Sequence, residues 1–522
     1  MRVLFVSEYL PQEMLGLMWL SRAIKDAGHE CRALFLPDGD WLRKAADFAP
    51  DVLAYSVTTG MHSYALEINR KIREVLPDAL SVFGGPHPTF TPEYVELDGV
   101  DAICRGEGEL AMVDLLDRMR SGEDYRDTPN FWIKDRATGE IFKNPQRPLV
   151  QDLDALGFPD RDVVYEAAPI YRDSDRKVFV SQRGCPMNCS FCFHHAWKTK
   201  IYGVKNKEYT RKRSVSHVIA EINDVRARYN LKFVHFVDDI FNVKNDWLTE
   251  FAERYPKEVG LPFDVILMAN VTKESHIELL AKAGCVYARI AFEAASDHIR
   301  NAVFKKNTTR KQLTDAAGWI RKHGIRLGSL NILGAPGATL EDELDTIRLN
   351  AECKVDHPMV SLLQPYPMFD ITEQSNEMGY AVSSLDDFPV NFRRTAPLAM
   401  QEKHRIENLH KLFPIAVRNP WLIPHLPRLI KWRFMYRPYL LLFMLHAELL
   451  VSQQAGIYAR AQGLGGPRYW TWVDFAARVG KKGVLRTWQL AFEKRMKLFG
   501  KAARRLELKL QMGDERVVAH MD

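Results

Sequence analysis

The sequence predicts an α/β protein with two successive parallel sheets and a helical C-terminal region. Short apolar runs alternate with amphipathic helical stretches over residues 1–124, and a second series of the same kind covers residues 176–395. Strands that alternate with helices of ten or more residues form parallel sheets. We therefore expect a doubly wound N-terminal sheet and then a partial (β/α)6 barrel of the TIM type. Residues 125–175 are predicted to be a linker and residues 396–522 a basic helical region without a strand pattern.

The strands of the predicted N-terminal sheet end in glycine and polar residues. Ligands of doubly wound sheets bind at the carboxyl ends of the strands, so these residues are candidate ligand contacts. Glycine pairs at such ends let a bulky flat ligand approach the backbone, although a tight turn explains each of them equally well. The five predicted strands are RVLFVS (2–7), ECRALFLP (30–37), VLAYSVTT (52–59), ALSVFGG (79–85) and GVDAICRG (99–106).

The predicted linker is rich in Asp, Pro and Arg and shows little hydrophobic periodicity. The six apolar runs after it are separated by helical stretches of suitable length, which is the pattern of a partial barrel. Active sites of barrels lie at the C-terminal ends of their strands. The six predicted strands are KVFVSQR (177–183), FVHFVDD (233–239), FDVILMAN (263–270), VYARIAFE (286–293), RLGSLNILG (326–334) and MVSLLQPYP (359–367).

The composition is that of a soluble globular protein of two or three domains. The chain has 522 residues, of which 46% are hydrophobic and 26% charged. We expect no transmembrane helix, because the longest apolar candidate, residues 438–451, is short and contains His446 and Glu448. Seven scattered cysteines without a visible signal peptide predict a reducing cytoplasm rather than a disulfide framework.

The basic excess of the chain is confined to its C-terminal region. Residues 401–522 hold 22 Lys and Arg against 9 Asp and Glu, whereas residues 1–400 carry a net charge of −7. Such a region suits a phosphate, an anionic lipid surface or nucleic acid, or is simply a solvated basic face. Residues 427–450 place Trp432, Tyr436 and basic residues beside an apolar run. This predicts either a helix in a membrane interface or a core helix that covers the barrel.

Three cysteines lie within eight positions in RGCPMNCSFCF (183–193), directly after the first predicted barrel strand. A structural zinc site needs a fourth ligand, which His194 or His195 would have to supply. Three unrelated core cysteines are another reading of the same pattern. A 4Fe–4S cluster fits the spacing better, because three thiolates bind three irons and leave the fourth iron open for a substrate or cofactor.

This motif resembles the cluster motif of the radical S-adenosylmethionine (SAM) enzymes. The resemblance implies that Cys185, Cys189 and Cys192 hold a 4Fe–4S cluster whose open iron binds SAM. It also implies that the reduced cluster cleaves SAM to a 5′-deoxyadenosyl radical. Phe191 directly before the last cysteine matches the pattern too.

The resemblance continues along the predicted barrel, where it implies further contacts to SAM or substrate. FVHFVDDIFN resembles the second strand, RIAFEAASD the fourth and NILGAPGATLEDELDTI the fifth with its turn. The sequence departs from the family at two places. Residues 367–369, at the end of the sixth predicted strand, are PMF where PGT is usual, and Asn270 stands where an arginine is common. As alternatives, the carboxylates could cap helices or pair with arginines. The implied SAM-binding residues are Phe191, Asp238, Asp239, Glu293, Asn331 and Gly334.

Residues 1–120 resemble the cobalamin-binding domain that precedes the barrel in one branch of these enzymes. The matching stretches are LGLMWLSRAIKDAGHE, PDVLAYSVTT, VFGGPHPTF and VDAICRGEGE. The D-x-H-x-x-G loop that supplies a cobalt-ligating histidine is EYLPQEMLG here and contains no histidine. We therefore expect cobalt to lack a protein imidazole. The implied cobalamin-binding residues are Glu8, Leu15, Thr58, Thr59, Gly84, Gly85, His87, Gly106 and Glu107.

The favoured function is a cobalamin-dependent radical methylase that acts on an unactivated carbon. One alternative is a radical reaction without methyl transfer, such as the oxidative ring closure of anaerobic magnesium-protoporphyrin monomethyl ester cyclases or a lipid modification. Another is a non-catalytic zinc or cluster protein. The sequence identifies no catalytic side chain beyond the cofactor contacts. The expected partners are a small-molecule or lipid-like substrate and an electron donor of the flavodoxin or ferredoxin type. Peripheral membrane contact through the C-terminal region is a further expectation, and no nucleic-acid module is recognisable.

Overall fold

The computed structural model describes residues 1–8, 13–36, 40–242, 244–380, 382, 384–389, 395–400, 402–443 and 446. Residues Met1–Ala447 form one compact unit. The predicted α/β class, with its two parallel sheets, is confirmed. Most of the predicted basic helical region, from residue 447 onwards, lies outside the described residues.

The N-terminal sheet has seven strands in the order β2-β1-β3-β4-β5-β6-β7. The five predicted strands are all present and pair in parallel, whereas β6 and β7 add antiparallel to the edge at β5. The strands are β1 (Arg2–Glu8), β2 (Glu30–Leu36), β3 (Val52–Ser56), β4 (Leu80–Gly84), β5 (Ala102–Cys104), β6 (Phe131–Lys134) and β7 (Ile141–Lys143).

Helices cover both faces of this sheet, as a doubly wound fold requires. One face packs in a core with α1 and α5, and the other packs in a core with α2 and α3. The helices are α1 (Leu15–Asp26), α2 (Trp41–Phe48), α3 (His62–Arg73), α4 (Pro86–Phe90) and α5 (Glu109–Ser121).

The segment 125–175, predicted to be a linker, contributes structure of its own. It supplies β6 and β7 and then two short helices, α6 (Asp162–Tyr165) and α7 (Pro169–Asp173). Its Arg161 is fully buried and donates from Nη1 to Glu13 (3.1 Å) and from Nη2 to Glu221 (2.9 Å). Strands of three or four residues are too short to show alternation, and a long-range ion pair leaves no local pattern. The sequence therefore suggested a linker where the structure has a buried clamp between the two sheets.

The second sheet is an open half-barrel of six parallel strands in the order β8-β11-β12-β13-β14-β15. The first predicted strand divides in two: β8 ends at Phe179, and β9 pairs antiparallel with β10 instead. The strands are β8 (Arg176–Phe179), β9 (Gln182–Arg183), β10 (Arg211–Lys212), β11 (Phe233–Phe236), β12 (Phe263–Leu267), β13 (Cys285–Glu293), β14 (Arg326–Leu333) and β15 (His357–Leu362).

Amphipathic helices pack against this sheet and share one large apolar core with it. Helix α16 (Lys403–Arg418) packs against β15, and its buried His410 contacts the carbonyl of Val360 through Nε2 at 3.1 Å. In the part of the chain described, no helix is both long and apolar enough to cross a bilayer. The helices are α8 (Phe193–Ala196), α9 (Asn206–Tyr209), α10 (Val215–Arg228), α11 (Asn245–Glu258), α12 (Glu274–Ala283), α13 (Arg310–Lys322), α14 (Leu340–Glu352), α15 (Asp370–Glu377), α16 (Lys403–Arg418) and α17 (Leu426–Leu429).

Candidate active site

The three cysteines of the motif lie in one loop between β9 and α8, at the carboxyl end of the half-barrel. Cys185 and Cys189 are buried and Cys192 is half-buried. Burial raises the pKa of the Cys185 thiol to about 12, so a bound metal has to displace its proton. The loop starts at Gly184, which has φ +84°, and a Cβ there would lie 2.1 Å from the Tyr209 carbonyl oxygen. Only glycine fits at this position.

Two polar side chains hold the cysteine loop in place. Ser190 donates from its backbone to Phe304 (3.0 Å) and from Oγ to Val303 (2.6 Å). The buried Lys198 donates from Nζ to Asn188 at 2.6 Å. A lysine is most often solvent-exposed, so no local pattern predicts that Lys198 is buried and contacts this loop.

The histidines that follow the motif pair with other groups. Nε2 of His194 lies 2.6 Å from Oδ2 of Asp239, and its Nδ1 lies 2.8 Å from the Tyr209 hydroxyl. Nε2 of His195 lies 3.3 Å from Asp370. Among the described residues, no three His, Cys, Asp or Glu side chains surround a point where a single metal ion could sit. Thiolates that bind a cube each take a different iron, so they need not converge on one point.

The adjacent carboxylates Asp238 and Asp239 point to different places. Asp238 is buried and accepts hydrogen bonds from Ser181, including one from Oγ at 2.6 Å, and its burial raises its pKa. Asp239 is half-exposed and faces a cavity beside the cysteine loop. Of the two, Asp239 is therefore the one placed to meet a ligand.

Glu293 ends the fourth barrel strand in an unusual conformation. Its φ is +60°, and the pairing register with β14 shifts at this residue. Its carboxylate forms a buried ion pair with Lys306, whose Nζ lies 2.8 Å away. The same Nζ lies 5.9 Å from the centre of the Phe191 ring. A non-glycine residue with positive φ, held by a buried ion pair, is typical of a functional site. Lys306 is a candidate that the sequence did not reveal.

The fifth-strand residues are held by hydrogen bonds within the barrel. The buried Asn331 donates to Met359 at 2.9 Å and accepts from Asn350 at 2.8 Å. The backbone of Gly334 donates to Glu343 at 2.7 Å. Burial raises the pKa of Glu343 to about 8. These bonds fix the turn after β14, where the resemblance places the adenine of SAM.

A cavity of about 410 Å³ opens at the carboxyl end of the N-terminal sheet. Its walls are mostly apolar and come from both sheets. Trp197, just after the cysteine loop, and Arg183, just before it, close the barrel side. Five of the residues predicted to bind cobalamin line this cavity: Leu15, Gly84, Gly85, Gly106 and Glu107.

The other predicted cobalamin contacts lie elsewhere. Glu8 borders a separate small cleft, and Thr58 is exposed. Thr59 and His87 contact each other, Oγ1 to Nδ1, at 3.0 Å. His87 is buried and stacks on His62, and this burial lowers its pKa to about 3. Residues 9–12 of the predicted loop lie outside the described residues.

A second cavity of about 210 Å³ adjoins the first. The two share Glu107, Arg183 and Trp197, and the second also includes Asp239 and Phe193. The space beside the cysteine loop and the space at the end of the N-terminal sheet therefore have a common wall.

That common wall joins the sheets by hydrogen bonds and ion pairs. The Tyr202 hydroxyl accepts from the Glu107 backbone at 2.8 Å, and a Cβ on Gly106 would lie 2.2 Å from the same oxygen. Arg211 and Arg183 approach the Glu107 carboxylate to 2.8 and 3.4 Å. Burial opposes ionisation of Glu107, but the arginines outweigh it and lower its pKa. Glu107 therefore stays charged and connects the two domains.

Two family models match the chain. Residues 1–116 match the B12 binding domain, and residues 179–349 match the radical SAM superfamily. The chain belongs to the radical SAM enzymes that carry a cobalamin-binding domain, as the sequence motifs implied. Its cofactors are a 4Fe–4S cluster, SAM and cobalamin.

Curated relatives and solved structures agree with this assignment. An uncharacterized methyltransferase of Pyrococcus horikoshii is 27% identical over 84% of this chain and 94% of its own length. The anaerobic magnesium-protoporphyrin IX monomethyl ester cyclase of Rubrivivax gelatinosus is 26% identical over 67% of this chain and 62% of its own. The radical SAM methyltransferase TsrM of Kitasatospora setae, solved with cobalamin and a 4Fe–4S cluster, has the same fold. Its TM-score is 0.60 at 18% identity, over 73% of this chain and 79% of that one.

The residues present fit these cofactors. Three cysteines in a buried, anchored loop are the donor set of a cube with one open iron. The larger cavity is mostly apolar, has Gly84, Gly85 and Gly106 in its lining, and lies where doubly wound sheets bind their ligands.

Proposed function

We propose that this enzyme transfers a methyl group to an unactivated carbon of its substrate, with cobalamin as the carrier of that group. The observation that carries the proposal is the common wall of the two cavities. Through this wall the larger cavity, which we propose holds cobalamin, adjoins the space beside the cysteine loop. When bound, the reduced cluster and SAM supply a 5′-deoxyadenosyl radical, and cobalamin supplies the methyl group. Adjoining sites allow both to reach one substrate.

The protein's own side chains have separate tasks in this proposal. Cys185, Cys189 and Cys192 hold the cluster. Asp239 accepts a hydrogen bond from SAM or substrate, and Nε2 of His194 keeps one of its oxygens in place. The apolar walls of the larger cavity exclude water, which protects radicals and the exposed faces of a bound corrin.

The SAM-binding residues of the half-barrel are also part of this proposal. Glu293 is proposed to meet the SAM ribose, with Lys306 holding its carboxylate. The turn at Asn331 and Gly334 is proposed to back the adenine, and Phe191 to pack beside the cluster. The methyltransferase relative from Pyrococcus horikoshii supports methyl transfer over ring closure, because it matches this chain over a greater length than the cyclase does.

Labelled SAM tests the proposal. The reconstituted enzyme, with cluster and cobalamin, is incubated with methyl-deuterated SAM, a reductant and candidate extracts. We expect a deuteromethylated product together with S-adenosylhomocysteine and 5′-deoxyadenosine. Deoxyadenosine and an unmethylated, oxidised product without S-adenosylhomocysteine would instead establish a radical cyclisation.

Three further properties belong to the proposal. The cluster takes its electron from a one-electron donor of the flavodoxin or ferredoxin type. The seven free cysteines suit a reducing cytoplasm. The C-terminal region is proposed to contact a membrane peripherally, which would suit a lipid-like as well as a small soluble substrate.

A further inference from the structure

Exposed apolar side chains concentrate in one stretch near the end of the described chain. Twelve large hydrophobic side chains are exposed among the described residues, and six of them fall within residues 421–442. Phe434 is 72% exposed, Trp421 68% and Trp432 54%, and the rings of Trp432 and Phe434 lie 6.0 Å apart. Exposed apolar side chains that lie together on a protein surface, as these two rings do, are typical of interaction sites. The six are Trp421, Leu429, Trp432, Phe434, Leu441 and Leu442.

The backbone that carries these side chains is fixed to the barrel. The buried Asn408 of α16 donates from Nδ2 to the carbonyls of Ile430 and Trp432, each at 3.0 Å. The Tyr439 hydroxyl donates to the Leu429 carbonyl at 2.9 Å. Ile430 and Tyr439 themselves lie in the barrel core. The exposed rings are therefore held outward by a packed segment.

The same stretch is positively charged. Residues 408–447 contain no Asp or Glu. Four exposed basic side chains within residues 421–442 form no ion pair with any residue in the described part of the chain. Nζ of Lys431 lies 5.6 Å from the centre of the Trp432 ring, so charge and aromatic surface alternate. These basic residues are Arg428, Lys431, Arg433 and Arg437, which together with the six apolar ones we name the aromatic–basic surface.

The charge decides which partner suits this surface. A symmetric contact with a second copy of the chain would bring basic residues against basic residues. Residues 448–522 would do the same, because they hold 14 Lys and Arg against 7 Asp and Glu. An anionic bilayer offers negative headgroups to the basic side chains and the acyl boundary to the leucines. Tryptophan itself favours the headgroup level.

We propose that the aromatic–basic surface binds the headgroup region of an anionic lipid bilayer. This gives the proposed peripheral membrane contact, on which it rests, a defined set of residues and a defined lipid charge. The attraction is expected to weaken with salt, because exposed charges are screened within about 10 Å at 0.1 M salt. The contribution of the apolar side chains to membrane binding is expected to persist at high salt.

Cosedimentation of the full-length holoenzyme with phosphatidylcholine vesicles, with and without phosphatidylserine, tests the proposal. We expect binding that requires phosphatidylserine and weakens with salt. Each basic residue near an anionic surface changes affinity about fivefold, so Lys431→Glu with Arg433→Glu should reduce binding at least tenfold. Trp432→Ser with Phe434→Ser should also reduce it. Lys257→Glu with Lys282→Glu, and the exposed Ile170→Ser, are the matched controls and should bind as the wild type does.

Three results would overturn the proposal. One is failure of the wild type to bind phosphatidylserine vesicles at low salt. Surface variants that bind as well as the wild type would assign the interaction to residues 448–522. A dimer that the same variants dissociate would identify a second copy as the partner. If the double variants misfold, judged by their cobalamin and iron content, the milder Lys431→Gln with Arg433→Gln gives the same comparison. Deoxyadenosine formation, measured without vesicles, tests the proposed radical chemistry independently of membrane binding.

Discussion

Nζ of Lys306 lies 2.8 Å from Oε1 of Glu293, and both side chains are buried at the carboxyl end of the half-barrel. Burial disfavours the charged lysine, but attraction to Glu293 outweighs it and raises the pKa of Lys306 above its usual value. Lys306 therefore stays charged and holds Glu293, a residue whose φ is positive.

Lys306→Met is expected to weaken SAM binding and to slow deoxyadenosine formation. The substitution leaves the Glu293 carboxylate buried without its partner, and such a change lowers the free energy of unfolding by about 3–5 kcal/mol. Equilibrium binding of SAM and product analysis measure both effects. The exposed neighbour Lys305→Met is the matched control. Equal behaviour of the two variants would show that the buried ion pair does not position SAM.

Replacing Cys185, Cys189 or Cys192 with Ala should abolish deoxyadenosine formation and lower the iron content. Each thiolate supplies one iron ligand, and a cube that lacks one is not held. Cys353→Ala, another buried free cysteine, should leave both unchanged. A triple variant that still cleaves SAM would contradict the cluster assignment. So would zinc near one equivalent without iron.

Gly84→Val is expected to lower cobalamin affinity without unfolding the protein. A Cβ at Gly84 would meet the Cys104 side chain at 3.8 Å, which is an ordinary contact, and because Gly84 lines the larger cavity we expect a branched side chain there to occupy part of that space. Absorbance titration with cobalamin measures the affinity, and iron content reports on the barrel. Gly318→Val, on the exposed side of α13, is the control because nothing lies within 4 Å of its Cβ. Unchanged cobalamin affinity would place the cofactor elsewhere.

Cobalt is predicted to have no protein imidazole on its lower face. The loop that would supply one has no histidine, and His87 and His62 stack on each other outside the larger cavity. Electron paramagnetic resonance of bound cob(II)alamin reports an axial nitrogen through superhyperfine splitting. Splitting that changes when protein histidine is labelled with nitrogen-15 would refute the prediction.

Arg161→Met is expected to destabilise the protein by about 3–5 kcal/mol, because it leaves Glu13 and Glu221 buried without this partner. Arg43→Met, which breaks exposed ion pairs, should cost under about 1 kcal/mol. Thermal unfolding compares the two. If Arg161→Met were as mild as its control, the buried clamp would not hold the domains together.

The same clamp predicts a pH dependence. Burial opposes ionisation of Glu221, but Arg213 and Arg161 outweigh it and lower its pKa below the ordinary 4.5. A depressed pKa contributes stability above the unfolded value, and this stability is lost as the pH falls through the folded value. Unfolding temperature should therefore drop on acidification below about pH 4.5. The drop should be smaller in Glu221→Gln, and an identical drop in that variant would assign it to other carboxylates.

Local sequence patterns are enough to predict the two parallel sheets and the position of the cysteine loop after the first barrel strand. Hydrophobic periodicity is local, so strands such as Val52–Ser56 and helices such as Arg310–Lys322 could be predicted near their true limits. The spacing of Cys185, Cys189 and Cys192 is local as well, and it carried the family assignment.

The ion pairs between distant polar residues could be identified only from the tertiary structure. The pairs Lys306–Glu293 and Arg161–Glu221 join residues whose side chains have no local pattern in common, and a lysine or arginine in a sequence is expected to be exposed. Only packing separates Asp239, which faces a cavity, from its neighbour Asp238, which is buried. Packing also buries His87 outside the larger cavity. Residues 125–175, which the sequence predicted to be a linker, contribute the buried Arg161 clamp. Such contacts depend on how distant segments are brought together, and periodicity does not encode that.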